Sequence, residues 1–354
     1  MKIAVIGAGN GGQAIAGFLA SKGHTISIYD RNENRLFNLN TIELTDKISC
    51  QGSISLCSTD ITKVICDAKI IMVATTAIAH KDLARMMSPN LTNGQIIVLN
   101  PGRTGGAYEF RQVLKFSNCT AQVYIAEAQT LLYACRLKKP GVVNIIGEKK
   151  CVYISALPSS HNDVIAPTLT ALFPAFHFVS NTLITSFENI GAIFHPSIVI
   201  FNLASIERAQ SFYFYRDLTQ KIADYIERLD NERISIGKKF GIDLISASDW
   251  VVDAYDNVKG DTLLERIRDN PAYNDIISPS DIYARQIFED VPTGLVPFQA
   301  FGRQANVETP VMDSLISICS TFYNVDFVKE GRNAINLGIE NKTINSIIKE
   351  LTHE

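Results

Sequence analysis

Short runs of branched apolar residues recur through the first half of the chain. Between them, apolar positions return at helical spacing. Ile3 to Ile6 is the first run; Gly7-Ala8-Gly9-Asn10-Gly11-Gly12 then leads into a small-residue stretch, Gln13 to Ser21. Gly23 closes that stretch in the usual helix-ending position. A second run, Thr25 to Tyr29, stops at Asp30, and others follow at Ile70 to Ala74, Gln95 to Leu99, Val123 to Ala126, Val142 to Ile146 and Val152 to Ala156. They are rich in Val and Ile and apolar on both faces, the pattern of strands covered by helices on each side. With helical stretches such as Lys81 to Met87 between them, they predict an α/β Rossmann-type doubly wound domain over residues 1–183.

From residue 184 the strand signal stops. Thr185-Ser186-Phe187-Glu188 fits a capping box and predicts an apolar helix reaching about Arg208. Leu218, Ile222, Tyr225, Ile226, Leu229 and Ile236 mark a second long helix that closes at Gly241. Thr309-Pro310 reads as an N-cap followed by proline at the first helical position, and a last amphipathic helix runs from about Thr343 to Leu351. Residues 184–354 therefore read as an all-α C-terminal domain. There is no internal repeat and no low-complexity linker, so the two domains are expected to pack directly on each other.

Composition narrows the function classes. The 354 residues suggest about two domains at ~150 residues each. Lys+Arg 33 against Asp+Glu 36 leaves a net charge of −3, which argues against gripping nucleic acid by bulk charge. No apolar run reaches the ~18 residues of a membrane span, and Met1 to Gly7 passes straight into the glycine motif without a cleavable leader. These features predict no nucleic-acid or membrane partner. Seven scattered cysteines with no C-x-x-C fit neither a disulfide framework nor a zinc site. The expectation is a reduced, cytoplasmic chain without metal.

Gly7, Gly9 and Gly12 form G-x-G-x-x-G after a strand and at the opening of a helix. The first glycine permits a tight turn, the second lets backbone approach a pyrophosphate, and the third lets helix and strand pack closely. The helix N-terminus offers free N–H groups and a positive dipole end. Asp30 ends the next strand, where a carboxylate accepts hydrogen bonds from the adenine ribose. Asn10, Arg31 and Thr75 complete the candidate cofactor contacts. Asp30 would repel a 2′-phosphate and favours NAD, whereas Arg31 and Arg35 keep NADP open.

Among six histidines, His195 stands apart. It interrupts the apolar face Ile190-Gly191-Ala192-Ile193-Phe194 and precedes Pro196, so a helix kink is expected there. A kinked imidazole suits a cleft between domains, with Asn202 two turns on along the same face. A core histidine bonded to a carbonyl is the competing reading. Further on, Arg285 can clamp a carboxylate with two parallel hydrogen bonds, and Asp290 can orient a histidine and stabilise its cation. A surface salt-bridge patch would look the same in sequence.

Several elements occur in one order: Gly7 to Gly12; Asn100-Pro101-Gly102-Arg103-Thr104-Gly105-Gly106-Ala107; Glu127 with Thr130-Leu131 and Tyr133-Ala134-Cys135-Arg136; His195-Pro196; and Glu289 to Pro297. Together they resemble the octopine/nopaline-type opine dehydrogenase family over nearly the whole chain. The resemblance implies an NAD(P)-dependent reductase that joins an amino acid to a 2-oxo acid such as pyruvate, or the reverse oxidation. It implies His195 as the proton-transfer residue, Asp290 as its support and Arg285 as the carboxylate anchor. Gln129 and Arg136 join Asn202 as candidate substrate contacts. Gln129 and Leu132 depart from the expected Asp or Thr and then Pro, which bears on substrate identity more than on chemistry. A ketopantoate-reductase-like or hydroxyacid dehydrogenase shares the two-domain plan. A non-catalytic dinucleotide sensor is the alternative of another class. A homodimer is compatible with the sequence.

Overall fold

The structure is a computed structural model that describes residues 1–255 and 258–353. The chain divides into two compact units, Met1–Ser186 with Lys349–Glu354, and Phe187–Ile348. The C-terminal residues thus return to the first unit. Arg111 Nη2 in the helix Gly106–Phe116 donates to Glu350 Oε2 at 3.1 Å.

Among its described residues the first unit holds twelve strands: β1 Lys2–Ile6, β2 Thr25–Tyr29, β3 Thr41–Asp46, β4 Cys50–Ser53, β5 Leu56–Ser58, β6 Ile70–Val73, β7 Ile96–Leu99, β8 Tyr124–Ala128, β9 Tyr133–Lys139, β10 Val142–Glu148, β11 Val152–Ala156 and β12 Phe176–Phe178. Eight of them form one sheet in the order β12-β11-β8-β7-β6-β1-β2-β5. β8 to β5 pair in parallel, and β11 joins β8 antiparallel. The doubly wound reading holds, and β1 lies centrally, where the strand order reverses.

β10 is a correction. Val142 to Ile146 was expected among the covered strands, but it lies in a separate sheet, β4-β3-β10-β9. Its strands carry alternating burial instead of two covered faces; Tyr133–Lys139 is buried on one side and wet on the other. The small residues of the helix Asn10–Ser21 let this sheet sit close. A Cβ at Gly17 would stand 2.6 Å from Ile42, and one at Gly52 would stand 2.4 Å from Ala20.

The second unit is helical among its described residues, apart from an isolated bridge between Tyr213 and Ile277. Gln220–Lys239 is the long helix expected from its apolar spacing, and Pro310–Tyr323 starts after Thr309 as expected. The predicted helix from Thr185 to Arg208 is instead three: Thr182–Phe187, Gly191–Ile200 and Leu203–Glu207. Thr185 caps nothing, because its hydroxyl lies 2.8 Å from both Glu127 Oε1 and the Thr182 carbonyl, and its one hydrogen is taken up there. The helix Gly191–Ile200 runs through Pro196 unbroken and ends where the Asn202 amide takes the Ile198 carbonyl. The break is set by that competing amide and not by proline. By length and composition Thr182–Ile200 could cross a membrane, contrary to the sequence reading. However, 72% of its apolar window is buried in the protein, as in a core segment.

Candidate active site

In the first unit the glycine loop is built by close approach. Gly7 sits at φ +108°, and its N–H donates to Tyr29 O at 2.7 Å. A Cβ on Gly12 would fall 1.7 Å from the Gly7 carbonyl, so only glycine lets this helix begin here. Gly9 is different: its Cβ would meet no described atom within 4 Å. The protein itself does not require a glycine there, which fits a cradle kept open for an approaching pyrophosphate. Thr75 adds a second sign, since its buried Oγ1 has no hydrogen-bond partner among the described residues.

Asp30 is buried at the end of β2. Its Oδ2 accepts from Ala8 N and its Oδ1 from Asn32 N, both at 2.9 Å. The carboxylate therefore pins the glycine loop and keeps acceptor capacity for a sugar hydroxyl. Arg35 pairs with Asp30 at 3.4 Å, and Arg31 is exposed. The Asn10 side chain accepts from Leu137 N at 3.0 Å, so it ties the helix to β9. These groups fit a dinucleotide.

The loop Pro101–Gly105 is locked through Glu127, a fully buried carboxylate at the end of β8. It accepts from Ala107 N and from the Thr185 and Ser186 hydroxyls, while Gly105 N donates to Ser186 Oγ. Gln129 lies just beyond, its N–H on Tyr153 O at 2.9 Å and its Oε1 accepting from Tyr153 N. Arg136 is exposed on the wet side of β9, with Nη1 on the Cys135 carbonyl.

In the second unit, Asp290 begins a π-helical turn, Val291–Leu295. A Cβ at Gly294 would stand 2.4 Å from Ala192 Cβ, so this turn lies directly on the helix Gly191–Ile200. His195 is three residues past Ala192 and Asp290 four before Gly294, so each lies one turn from that contact. The result is a bond of 2.7 Å between His195 Nδ1 and Asp290 Oδ2. With Asp290 ionised the carboxylate only accepts, so Nδ1 carries the hydrogen and Nε2 keeps its own bonding direction. Nε2 lies 3.0 Å from the Tyr215 hydroxyl. Neither ring nitrogen is bonded to a backbone carbonyl among the described residues: both face ionisable side chains, and the ring retains 17% exposure.

Arg285 opens the short helix Arg285–Phe288 with 59% of its side chain exposed. Its Nε lies 3.6 Å from Glu289 Oε2, which does not consume the two-pronged Nη edge. Asn202 turns back onto its own helix at Ile198 O, 2.8 Å, and is engaged as a backbone cap. Tyr215 was missed by sequence reasoning. The signal available was the aromatic run Phe212-Tyr213-Phe214-Tyr215, which reads equally well as core.

A glycine loop shaped for a dinucleotide and an imidazole held by a buried carboxylate are the equipment of a nucleotide-dependent oxidoreductase. Residues 178–323 match the family model for the alpha-helical domain of NAD/NADP octopine/nopaline dehydrogenase. Residues 2–102 match the N-terminus of NAD-dependent glycerol-3-phosphate dehydrogenase. An opine dehydrogenase from Arthrobacter sp. (strain 1C) is 34% identical over 96% of both chains, and an octopine dehydrogenase from Mizuhopecten yessoensis is 26% identical over 90% of this chain and 88% of its own. The chain belongs to the opine dehydrogenase family and is an NAD(P)-dependent oxidoreductase. An octopine dehydrogenase structure with NADH and L-arginine superposes with a TM-score of 0.84 at 22% identity, covering 100% of this chain and 99% of that one. A ketopantoate reductase from Ralstonia eutropha JMP134 is more distant, at 0.65 and 17% over 92% and 99%.

Proposed function

We propose that this enzyme joins the amino group of an amino acid to the carbonyl carbon of a 2-oxo acid such as pyruvate, or runs the reverse oxidation. The observation that carries the reading is the 2.7 Å bond from His195 Nδ1 to Asp290. An amine and a ketone condense to an imine, and that nitrogen must gain a proton as its carbon is reduced. His195 supplies the proton from Nε2, and Asp290 fixes the ring and stabilises the imidazolium. Arg285 holds the oxo acid by its carboxylate. The bound nicotinamide supplies the hydride. The glycine loop with Gly7, Gly9 and Gly12 and the backbone at Asn10 hold its pyrophosphate, with Thr75 beside them. Asp30 takes the adenine ribose, a carboxylate that favours NAD over NADP.

Residues 1–183 are read as the nucleotide domain and residues 184–354 as the substrate domain. Seven scattered cysteines with no C-x-x-C support a reducing, cytoplasmic setting. Small molecules are the partners proposed. The deciding experiment is a matrix of amino acids and oxo acids against NADH and NADPH. The reading expects nucleotide oxidation only when an amine and an oxo acid are both present. Oxidation with the oxo acid alone would favour a hydroxyacid or ketopantoate-type dehydrogenase. Tight nucleotide binding without turnover on any pair would favour a sensor.

A further inference from the structure

We propose that Tyr215 is a catalytic residue: its hydroxyl carries the proton that His195 exchanges with substrate. The inference rests on the reading of His195 as the acid–base group. Nδ1 is committed to Asp290 at 2.7 Å, so Nε2 is the only ring nitrogen that can trade a proton. An imidazole nitrogen has one in-plane bonding direction, and at His195 Nε2 the Tyr215 oxygen occupies it at 3.0 Å. A proton leaving Nε2 along that direction arrives on the tyrosine.

Tyr215 is also poorly placed to step aside. Its ring stacks on Tyr273 at 4.0 Å and 16°, with the Phe214 edge at 5.0 Å, and the residue is buried. The segment before it is clamped by backbone bonds, Phe214 N to Ile276 O at 2.7 Å and Ser278 N to Phe212 O at 2.9 Å. A hydroxyl serves in both protonation states of the ring without moving. It donates to neutral Nε2 and accepts from Nε2–H of the cation.

The step balances as a double transfer. The Nε2–H bond breaks as a new O–H bond forms on Tyr215, while the original Tyr215 O–H bond breaks as an N–H bond forms on the substrate nitrogen. Tyr215 begins and ends as a neutral phenol, and nothing is oxidised.

The test uses Tyr215→Phe in the full-length enzyme, with His195→Ala measured in parallel. Phenylalanine keeps the stack on Tyr273 and removes only the oxygen. The expected result is a fall in kcat of about 100-fold or more, the scale of a lost acid–base group. KM for the oxo acid and NADH affinity should stay within about threefold, because lost proton transfer does not touch binding. A proton inventory of the wild-type enzyme in H2O–D2O mixtures needs no variant to fold. Two protons in flight give a bowed plot, and a straight one-proton plot overturns the relay. Wild-type kcat in Tyr215→Phe alongside an inactive His195→Ala would likewise overturn it while leaving the histidine's role intact. An active His195→Ala would overturn the histidine reading, and the relay with it.

Discussion

Asp290 Oδ2 lies 2.7 Å from His195 Nδ1 across 95 positions of sequence. Packing of the turn Val291–Leu295 on Ala192 makes that meeting possible, through a glycine where any side chain would collide. With Tyr215 at Nε2, each nitrogen of the imidazole has its own partner. Asp290→Asn leaves the shape and removes the charge proposed to stabilise the imidazolium. Steady-state kinetics should show kcat lower by about 10²-fold with NADH affinity unchanged. Wild-type kcat in this variant would remove Asp290 from the acid–base set.

Arg285 keeps its Nη edge out of the Glu289 contact. If that edge holds the oxo-acid carboxylate, Arg285→Ala loses a charge-assisted pair worth about 1.5–3 kcal/mol. KM for the oxo acid then rises about 10- to 100-fold. KM for the amino acid should move less, so the two substrates are varied separately. An unchanged oxo-acid KM would take Arg285 out of the site.

Asp30 both anchors Ala8 N and presents a negative charge at the end of β2. Asp30→Ala should therefore weaken NADH binding and improve NADPH relative to NADH, with Arg31 and Arg35 left beside the ribose position. Fluorescence titration of both nucleotides reads the ratio. A ratio that does not move would mean that Asp30 serves only the loop.

Burial pushes the Cys57 and Cys135 thiols up to about 11 and that of Cys319 up to about 12. Because the thiolate is the nucleophile, a raised value means slow alkylation that speeds up only as pH climbs towards those values. At pH 8 in the native protein, iodoacetamide should modify the exposed Cys66 and Cys151 first. Cys57, Cys135 and Cys319 should react at a comparable rate only after denaturation. Mass spectrometry of partially labelled protein resolves the order, and early labelling of Cys319 would contradict its placement in the core.

Much of this was legible because it is local. The strand, Gly7 to Gly12 and Asp30 announce a nucleotide loop through spacing that chain geometry enforces. His195 and Asp290 were visible as residues, and the family resemblance assigned their partnership, since nothing in local spacing joins them. The second sheet was hidden for a different reason. Thr41–Asp46 alternates buried and exposed positions over only six residues, and its partner Val142–Glu148 lies about a hundred residues away. The helix breaks at residues 188–190 and 201–202 were illegible because both sides are apolar. What ends the second segment is the Asn202 amide reaching Ile198, a side-chain choice that propensity does not carry. Tyr215 escaped because an aromatic run signals core as readily as chemistry.

The proton-transfer role of the His195 imidazole is put to the test by His195→Ala assayed with NADH, an amino acid and an oxo acid. The variant's kcat should fall by about 10²- to 10⁴-fold while the melting temperature and the NADH dissociation constant stay close to wild type. Retained turnover, or lost activity that merely accompanies unfolding, would contradict it.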